Sequence, residues 1–435
     1  MVTPMILFGD FTAEETQEVL AISHVNLPQK PKPFSWSNLS KPTVAAASHP
    51  SPFTPATPVG TIEAKPAISL EVAFEQVLTE LDLHESAKDL QRRGFVNQGN
   101  TCFQNVTFQA LLACPPFRNL LCHLSSKVGD ISSVSSHQAS LVGWKHLVTL
   151  VRELDEPTLA QQRTIMRRTS AAPVILSPYF LRLFQSANGM QHDALEFLEF
   201  LLEHLHVDYE ASHSTFPLTS PSPCDTVSPL DGWSEIQKHG KAAAVHHNIV
   251  DTHSPITYLF KGTLRSELIR AGRKVGAATI EPFHCLHLTT PSTDSATLSQ
   301  MIRATMEDEA LDQSTLKRTA FETLPVVLSL HVKRFTYDPV QGPLKLNTIV
   351  QYPTDLELPP SLFSPTLLHH TKKAAKYKLF SVISHHGLHA VGGHYTAVCC
   401  DAKDQWSLYD DDTVQYITKQ AALAEHAYLL FYLRV

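Results

Sequence analysis

Over residues 194–205 the apolar side chains of Ala194, Phe197, Leu198, Leu201, Leu202 and Leu205 recur at intervals of three and four, which predicts a helix with one face turned to a core. Asp193, Glu196, Glu199 and Glu203 line its other faces, and acids in a first turn suit the positive end of a helix dipole. The same spacing predicts a helix within 67–90, where Leu70, Ala73, Phe74, Val77, Leu78 and Leu81 share a face. A third helix runs from Phe103 through Val106, Ala110, Leu111 and Cys114, and Pro115-Pro116 ends it. Further helices are predicted across 117–155, with Leu141, Trp144, Leu147, Val148 and Val151 on one face.

Beyond residue 249 the pattern changes to short apolar runs. Thr257 to Gly262, Phe283 to Leu288, Pro325 to Val332, Tyr377 to Ser384, His394 to Cys400 and Ala427 to Leu433 read as strands, with a helix near 296–310. Three stretches lack either period. Residues 1–66 carry prolines at 28, 31, 33, 42, 50, 52, 55, 58 and 66 among Ser, Thr, Ala and Lys, and so lack the apolar surface to offset ordering entropy. They are expected to be a disordered tail. Residues 210–247 are rich in Ser, Pro, His and Thr and are expected to be a mobile insertion, with another polar loop at 360–376. Arg167 and Arg168 read as a solvated basic connection.

Composition narrows the classes. The chain has 435 residues, 43% of them hydrophobic, enough for a substantial core. A net charge of -7 argues against a general nucleic-acid binder. No run of 18 apolar residues occurs, so no membrane span is indicated. The Met1 to Leu7 segment has no basic start and no long apolar core, unlike a signal peptide. Seven scattered cysteines fit a reducing intracellular compartment, with cytoplasm and also nucleus as the expectation.

The candidate chemistry begins at Gly94-Phe95-Val96-Asn97-Gln98-Gly99-Asn100-Thr101-Cys102, a glycine-broken polar loop leading into a helix. With Thr101 or Asn100 as N-cap, Cys102 falls in the first turn, where the dipole favours thiolate, the nucleophile of acyl transfer. The plain alternative is a small buried hydrophobe. A base is offered by His394, which Gly392-Gly393 holds at a loop-to-strand boundary. Asp410 lies at the end of the neighbouring strand, so an antiparallel pair would set it beside His394. An Asp accepting from one ring nitrogen fixes the tautomer and turns the other nitrogen to a thiol.

The Asn97 to Cys102 stretch resembles the cysteine box of ubiquitin-specific proteases. Gly392-Gly393-His394-Tyr395 with Trp406 and Tyr409-Asp410-Asp411 resembles their histidine box, and Gln191-His192-Asp193-Ala194 with Glu196-Phe197 the box between. Leu330 to Phe335, Lys345-Leu346 and Tyr352-Pro353 also match, in family order, over roughly residues 92–435. The resemblance implies an α+β, papain-like fold of thumb, palm and fingers, after a helical lead-in at 67–91. It implies Cys102 as nucleophile, His394 as base, Asp410 as orienter, Asn97 as oxyanion donor and Asp411 as a second assisting acid. It sets Gln191, Asp193 and Glu196 toward the substrate, the two acids facing ubiquitin's arginine-bearing tail.

By the same resemblance ubiquitin and ubiquitinated proteins are the expected partners. The expected reaction is hydrolysis after ubiquitin's C-terminal glycine. An inactive ubiquitin-binding scaffold and a protease for a ubiquitin-like modifier are the alternatives. A family member carries a Phe-Gly-Asp-Phe motif that docks on the nuclear-transport-factor-like domain of stress-granule scaffold proteins, and Phe8-Gly9-Asp10-Phe11 resembles it. Many members hold a zinc in the fingers through two Cys-X-X-Cys pairs. Cys224, Cys285 and Cys399-Cys400 lack that spacing, so neither a metal nor a cofactor is expected. His192 replaces the second Gln of the central box, and His331-Val332 stands where Leu is usual, an expected neutral core change.

Overall fold

A computed structural model describes residues 68–80, 90–128, 140–155, 172–184, 192–212, 233–238, 241–247, 254–270, 278–338, 342–387 and 392–435. The proline-rich tail with Phe8 to Phe11, and likewise Leu81, Arg167, Arg168, Gln191 and Cys224, lie outside the described residues.

The helices of the first half are α1 (Leu70–Glu80), α2 (Cys102–Ala113), α3 (Pro115–Lys127), α4 (Val142–Asp155), α5 (Tyr179–Phe184) and α6 (Ala194–Glu210). α1, α4 and α6 bury the stripes their sequence spacing marks, whereas α2 is buried on every side from Cys102 to Leu112. Phe74 of α1 packs edge-on against Trp144 of α4 at 5.0 Å and Tyr209 of α6 at 5.2 Å. The indole Nε1 of Trp144 donates to the Leu205 carbonyl at 2.9 Å, which satisfies its buried N–H. Pro115 and Pro116 both end α2 and open α3, since a first helical turn needs no proline N–H. Phe197 of α6 meets Phe103, Phe108 and Phe184 at 5.4, 6.0 and 5.3 Å, and so joins the helix of Cys102 to its neighbours. Phe197→Ala is expected to cost about 3–5 kcal/mol, read as a lowered urea midpoint at unchanged slope.

Later helices are α7 (Pro255–Phe260), α8 (Leu298–Thr305), α9 (Pro365–His370) and α10 (Lys419–Leu423). The strands are β1 (Trp233–Lys238), β2 (Lys241–His247), β3 (Gly262–Arg270), β4 (Ala278–Phe283), β5 (Cys285–Thr289), β6 (Ser295–Thr297), β7 (Glu309–Ala310), β8 (Thr315–Thr323) and β9 (Val327–Lys333). They continue as β10 (Phe335–Asp338), β11 (Gly342–Lys345), β12 (Ile349–Gln351), β13 (Asp355–Leu358), β14 (Ala375–His386), β15 (His394–Cys400), β16 (Trp406–Asp410), β17 (Thr413–Ile417) and β18 (Ala427–Arg434). One sheet has the order β1-β2-β4-β3-β8-β7, and the larger one the order β17-β16-β15-β14-β18-β9-β5.

The larger sheet is covered on both faces. On β15, Tyr395, Ala397 and Cys399 join the core beneath the early helices, while Val398 and Cys400 join a second core with α8 and α10. On β18, Leu429 and Phe431 face the first core, Leu430 and Tyr432 the second. Two buried faces explain why these strands appear in sequence as unbroken apolar runs.

Two expectations are corrected. Thr257 to Gly262 is not a strand: α7 occupies Pro255–Phe260, and β3 starts at Gly262. Ser254 and Thr257 form a capping box around Pro255, a helix-start signal that outweighs the β-prone composition of the run. Within the stretch expected to be a mobile insertion, residues 233–238 and 241–247 pair as antiparallel strands, with β2 parallel to β4, and residues 213–232 lie outside the described residues. Residues 360–376 are not an open loop. A 3-10 turn at Pro360–Leu362 leads into α9, capped by Ser364, with Leu362 and Phe363 buried.

Candidate active site

The loop before α2 is shaped by its own side chains. Gly99 and Asn100 take positive φ values of 103° and 55°. The Asn97 Oδ1 accepts from the Gly99 and Thr101 amides at 3.0 and 3.1 Å. Thr101 takes the N-cap position, but its Oγ1 accepts from the Gln98 amide instead of capping the helix. Cys102 is therefore the first residue of α2, at the positive dipole end and 2% exposed.

His394 reaches this thiol from the first position of β15. Gly393, at a φ of 147°, has no room for a side chain: a Cβ would lie 2.4 Å from the His386 carbonyl oxygen and 2.5 Å from His385 Nε2. That close approach sets where His394 emerges. Its Nε2 lies 2.6 Å from Asp410 Oδ1, and its ring is hydrogen-bonded to Cys102. The Cys102 hydrogen bond, and after it the Asp410 carboxylate, raise the His394 pKa to about 9 against the opposing effect of burial. At neutral pH the ring is an imidazolium held between sulfur and carboxylate.

Asp411, the next residue, ties the cysteine loop to the β16–β17 turn. Its Oδ2 accepts from Asn97 Nδ2 and its Oδ1 from Asn105 Nδ2, both at 2.8 Å. Its carbonyl accepts from the Phe95 amide at 2.7 Å. Gly94 permits this approach, since a Cβ there would fall 2.3 Å from the Asp412 carbonyl carbon. The Asn97 carboxamide is thus held at both ends, its oxygen by the loop amides and its nitrogen by Asp411. Asn105 is a site residue the sequence reading gave no role. Its signal was a carboxamide in the apolar pattern of α2, where a buried polar group needs partners.

The remaining expectations divide. Glu196 is exposed. Asp193 caps α6 and also accepts from two tyrosine hydroxyls, so its carboxylate faces inward. The His192 ring packs against Phe103 and Phe184. His331 is more than a core substitute for Leu: its Nδ1 lies 3.0 Å from His287 Nδ1, and burial lowers its pKa to about 3. Lys345 straps β11 to the end of β14, its Nζ donating to the His385 and Gly387 carbonyls at 2.7 and 2.9 Å. Among the described residues, His394, Asp410 and Asp411 are the donors close enough to share a cation, and each is already hydrogen-bonded as above.

A helix-borne thiol facing an imidazole on an adjoining sheet, with a carboxylate behind it, defines the papain-like class of thumb, palm and fingers. Residues 93–432 match the model of the ubiquitin carboxyl-terminal hydrolase family, and the chain belongs to that family. Ubiquitin carboxyl-terminal hydrolase 10-B of Xenopus laevis is 29% identical over 485 residues, covering 97% of this chain and 59% of that protein. Ubiquitin carboxyl-terminal hydrolase 10 of Rattus norvegicus is 30% identical, over 84% of this chain and 51% of that protein. The chain thus spans between half and three-fifths of the length of these curated relatives. The fold is shared with the SAGA Ubp8/Sgf11/Sus1/Sgf73 module bound to ubiquitin aldehyde, at a TM-score of 0.59, 22% identity and coverage of 84% and 74% of the two chains.

Proposed function

We propose that the chain is a thiol isopeptidase that removes ubiquitin from conjugated proteins. The observation that carries this reading is the Cys102–His394–Asp410 contact, set in a fold of the ubiquitin carboxyl-terminal hydrolase family. Cys102 sulfur attacks the carbonyl carbon of ubiquitin's C-terminal glycine. The carbonyl π electrons move to oxygen, and Asn97 Nδ2 donates to the oxyanion. As the tetrahedral species collapses, His394 gives its proton to the departing lysine amine. Water, deprotonated by His394, then attacks the thioester, and the sulfur leaves as the thiolate beside the restored imidazolium. Asp410 holds the ring throughout. Glu196 is the acid free to meet the arginine-bearing tail of ubiquitin. The relatives' names and the ubiquitin-bound neighbour support ubiquitin over other modifiers.

The test is a ubiquitin C-terminal fluorogenic substrate assayed beside its ubiquitin-like counterparts. Turnover of ubiquitin alone supports the reading. Preference for another modifier, or binding without turnover, overturns it. In the same assay Asn97→Ala is expected to lower kcat by at least about 10²–10³-fold, since it removes the oxyanion donor together with the bonds to Gly99, Thr101 and Asp411 that shape the cysteine loop.

The proposal extends to a partner. Phe8 and Phe11 bracket Gly9-Asp10 and suit an apolar groove on the nuclear-transport-factor-like domain of a stress-granule scaffold. Phe11→Ala is expected to weaken scaffold binding about tenfold or more by titration, with turnover of free ubiquitin substrate unchanged. Equal scaffold binding by both proteins would remove the motif's role.

A further inference from the structure

Asp193 carries more bonds than a helix cap requires. Its Oδ1 accepts from the Leu195 and Glu196 amides at 2.7 and 3.3 Å, which caps α6. Its Oδ2 accepts from the Tyr428 hydroxyl at 2.5 Å and the Tyr395 hydroxyl at 3.3 Å. Both tyrosines are buried, and burial together with the Asp193 charge lifts both phenols well above their ordinary range. They are therefore protonated donors at any working pH.

These bonds tie the start of α6 to β15, which bears His394, and to β18. Through Phe197 on Phe103, α6 buttresses the first turn of α2, where Cys102 stands. Tyr395 is the residue after His394 on β15, and Tyr428 lies on β18. β18 and β15 both pair with β14. One carboxylate thus links the helix behind the thiol to the strand bearing the imidazole. A charged acceptor with several donors is stiff, because each hydrogen bond to a carboxylate is shorter and stronger than a neutral one.

We propose that Asp193 is a positioning residue that clamps α6 to β15 and so sets the spacing of Cys102 and His394. This rests on the reading of Cys102 as nucleophile and His394 as base. The exposed Glu196 side chain one turn on takes no part in these bonds.

The experiment follows Cys102 with no substrate present. The rate at which iodoacetamide alkylates Cys102 is measured across pH by mass spectrometry of its peptide, in the full chain and in Asp193→Asn, Glu196→Gln and the double variant Tyr395→Phe/Tyr428→Phe. Asn still caps a helix, and the double variant keeps the Asp193 cap, so the clamp is broken from either side with the fold retained. The clamp predicts a displaced alkylation profile in Asp193→Asn and in the tyrosine pair, and a wild-type alkylation profile in Glu196→Gln, whose expected defect is a raised KM for the ubiquitin substrate. It also predicts that kcat on the fluorogenic ubiquitin substrate falls by about tenfold to a hundredfold at similar KM. Wild-type alkylation profiles in both clamp variants, with KM raised in Asp193→Asn, would overturn the clamp and make Asp193 a substrate acid. A wild-type Cys102 that alkylates as an ordinary thiol would overturn the Cys102–His394 pairing, and the clamp with it.

Discussion

Cys102→Ala is expected to abolish turnover, by about 10⁴-fold or more, while ubiquitin is still bound. Under the proposed mechanism the sulfur is both attacking atom and leaving group of the second step, and no neighbour can replace it. Cys399 is fully buried in the first core, with Ser381 Oγ 3.3 Å from its sulfur, and burial pushes its thiol up to about 12. Retained binding follows from position: the side chain is 2% exposed and contributes little surface to a partner. The substitution should also lower the His394 pKa, because the Cys102 hydrogen bond is the largest of the effects that raise it. Single-turnover hydrolysis, ubiquitin titration and NMR titration of the ring read these three outcomes. Hydrolysis within tenfold of wild type would reject Cys102 as nucleophile.

What the sequence disclosed depended on the range of the interaction. The start of α2 is local: Gly99, Asn100 and Thr101 shape a loop whose hydrogen bonds span four residues or fewer. The His394–Asp410 pair is also near-local, because β15 and β16 are adjacent antiparallel strands that bring those ends together. The bonds that complete the site are not local. Asn97 and Asn105 reach Asp411 across most of the chain, and Asp193 finds Tyr395 and Tyr428 only once sheet and helices have packed. No periodicity encodes such pairs. The family likeness drew attention to Asp193 and Asp411 without indicating what each would touch.

The strand and loop errors have local causes. The run from Thr257 to Phe260 is short and rich in β-prone side chains, and so ambiguous by period. Ser254 and Pro255 before it held the decisive signal. Ser364-Pro365 repeats that signal in the stretch read as a loop. The hairpin of β1 and β2 was hidden differently: polar residues dominate Trp233–Lys238, and β2 finds a parallel partner in β4 more than thirty residues later. Backbone pairing with a distant strand can hold a segment whose composition suggests none.

His394→Gln is expected to lower turnover about 10⁴-fold and to remove the alkaline limb of the pH profile. The ring performs both proton transfers in the proposed mechanism, and a carboxamide performs neither. In the wild type the folded-state pKa of about 9 stands above the ordinary value of 6.5. Departure of the lysine amine needs the imidazolium, so isopeptide cleavage should fall as pH rises through about 9. The same shift acts on stability. The stabilisation is fully present below pH 6.5, where folded and unfolded rings are both protonated, and is lost as pH rises through about 9. His394→Gln lacks both dependences, so its residual rate should show no fall near pH 9 and its melting temperature should be less sensitive to pH between 7 and 10. The measurement is kcat/KM on a ubiquitin–lysine isopeptide substrate beside thermal unfolding, both across that range. An alkaline limb that survives in His394→Gln would assign it to another group and leave the ring without its role as acid.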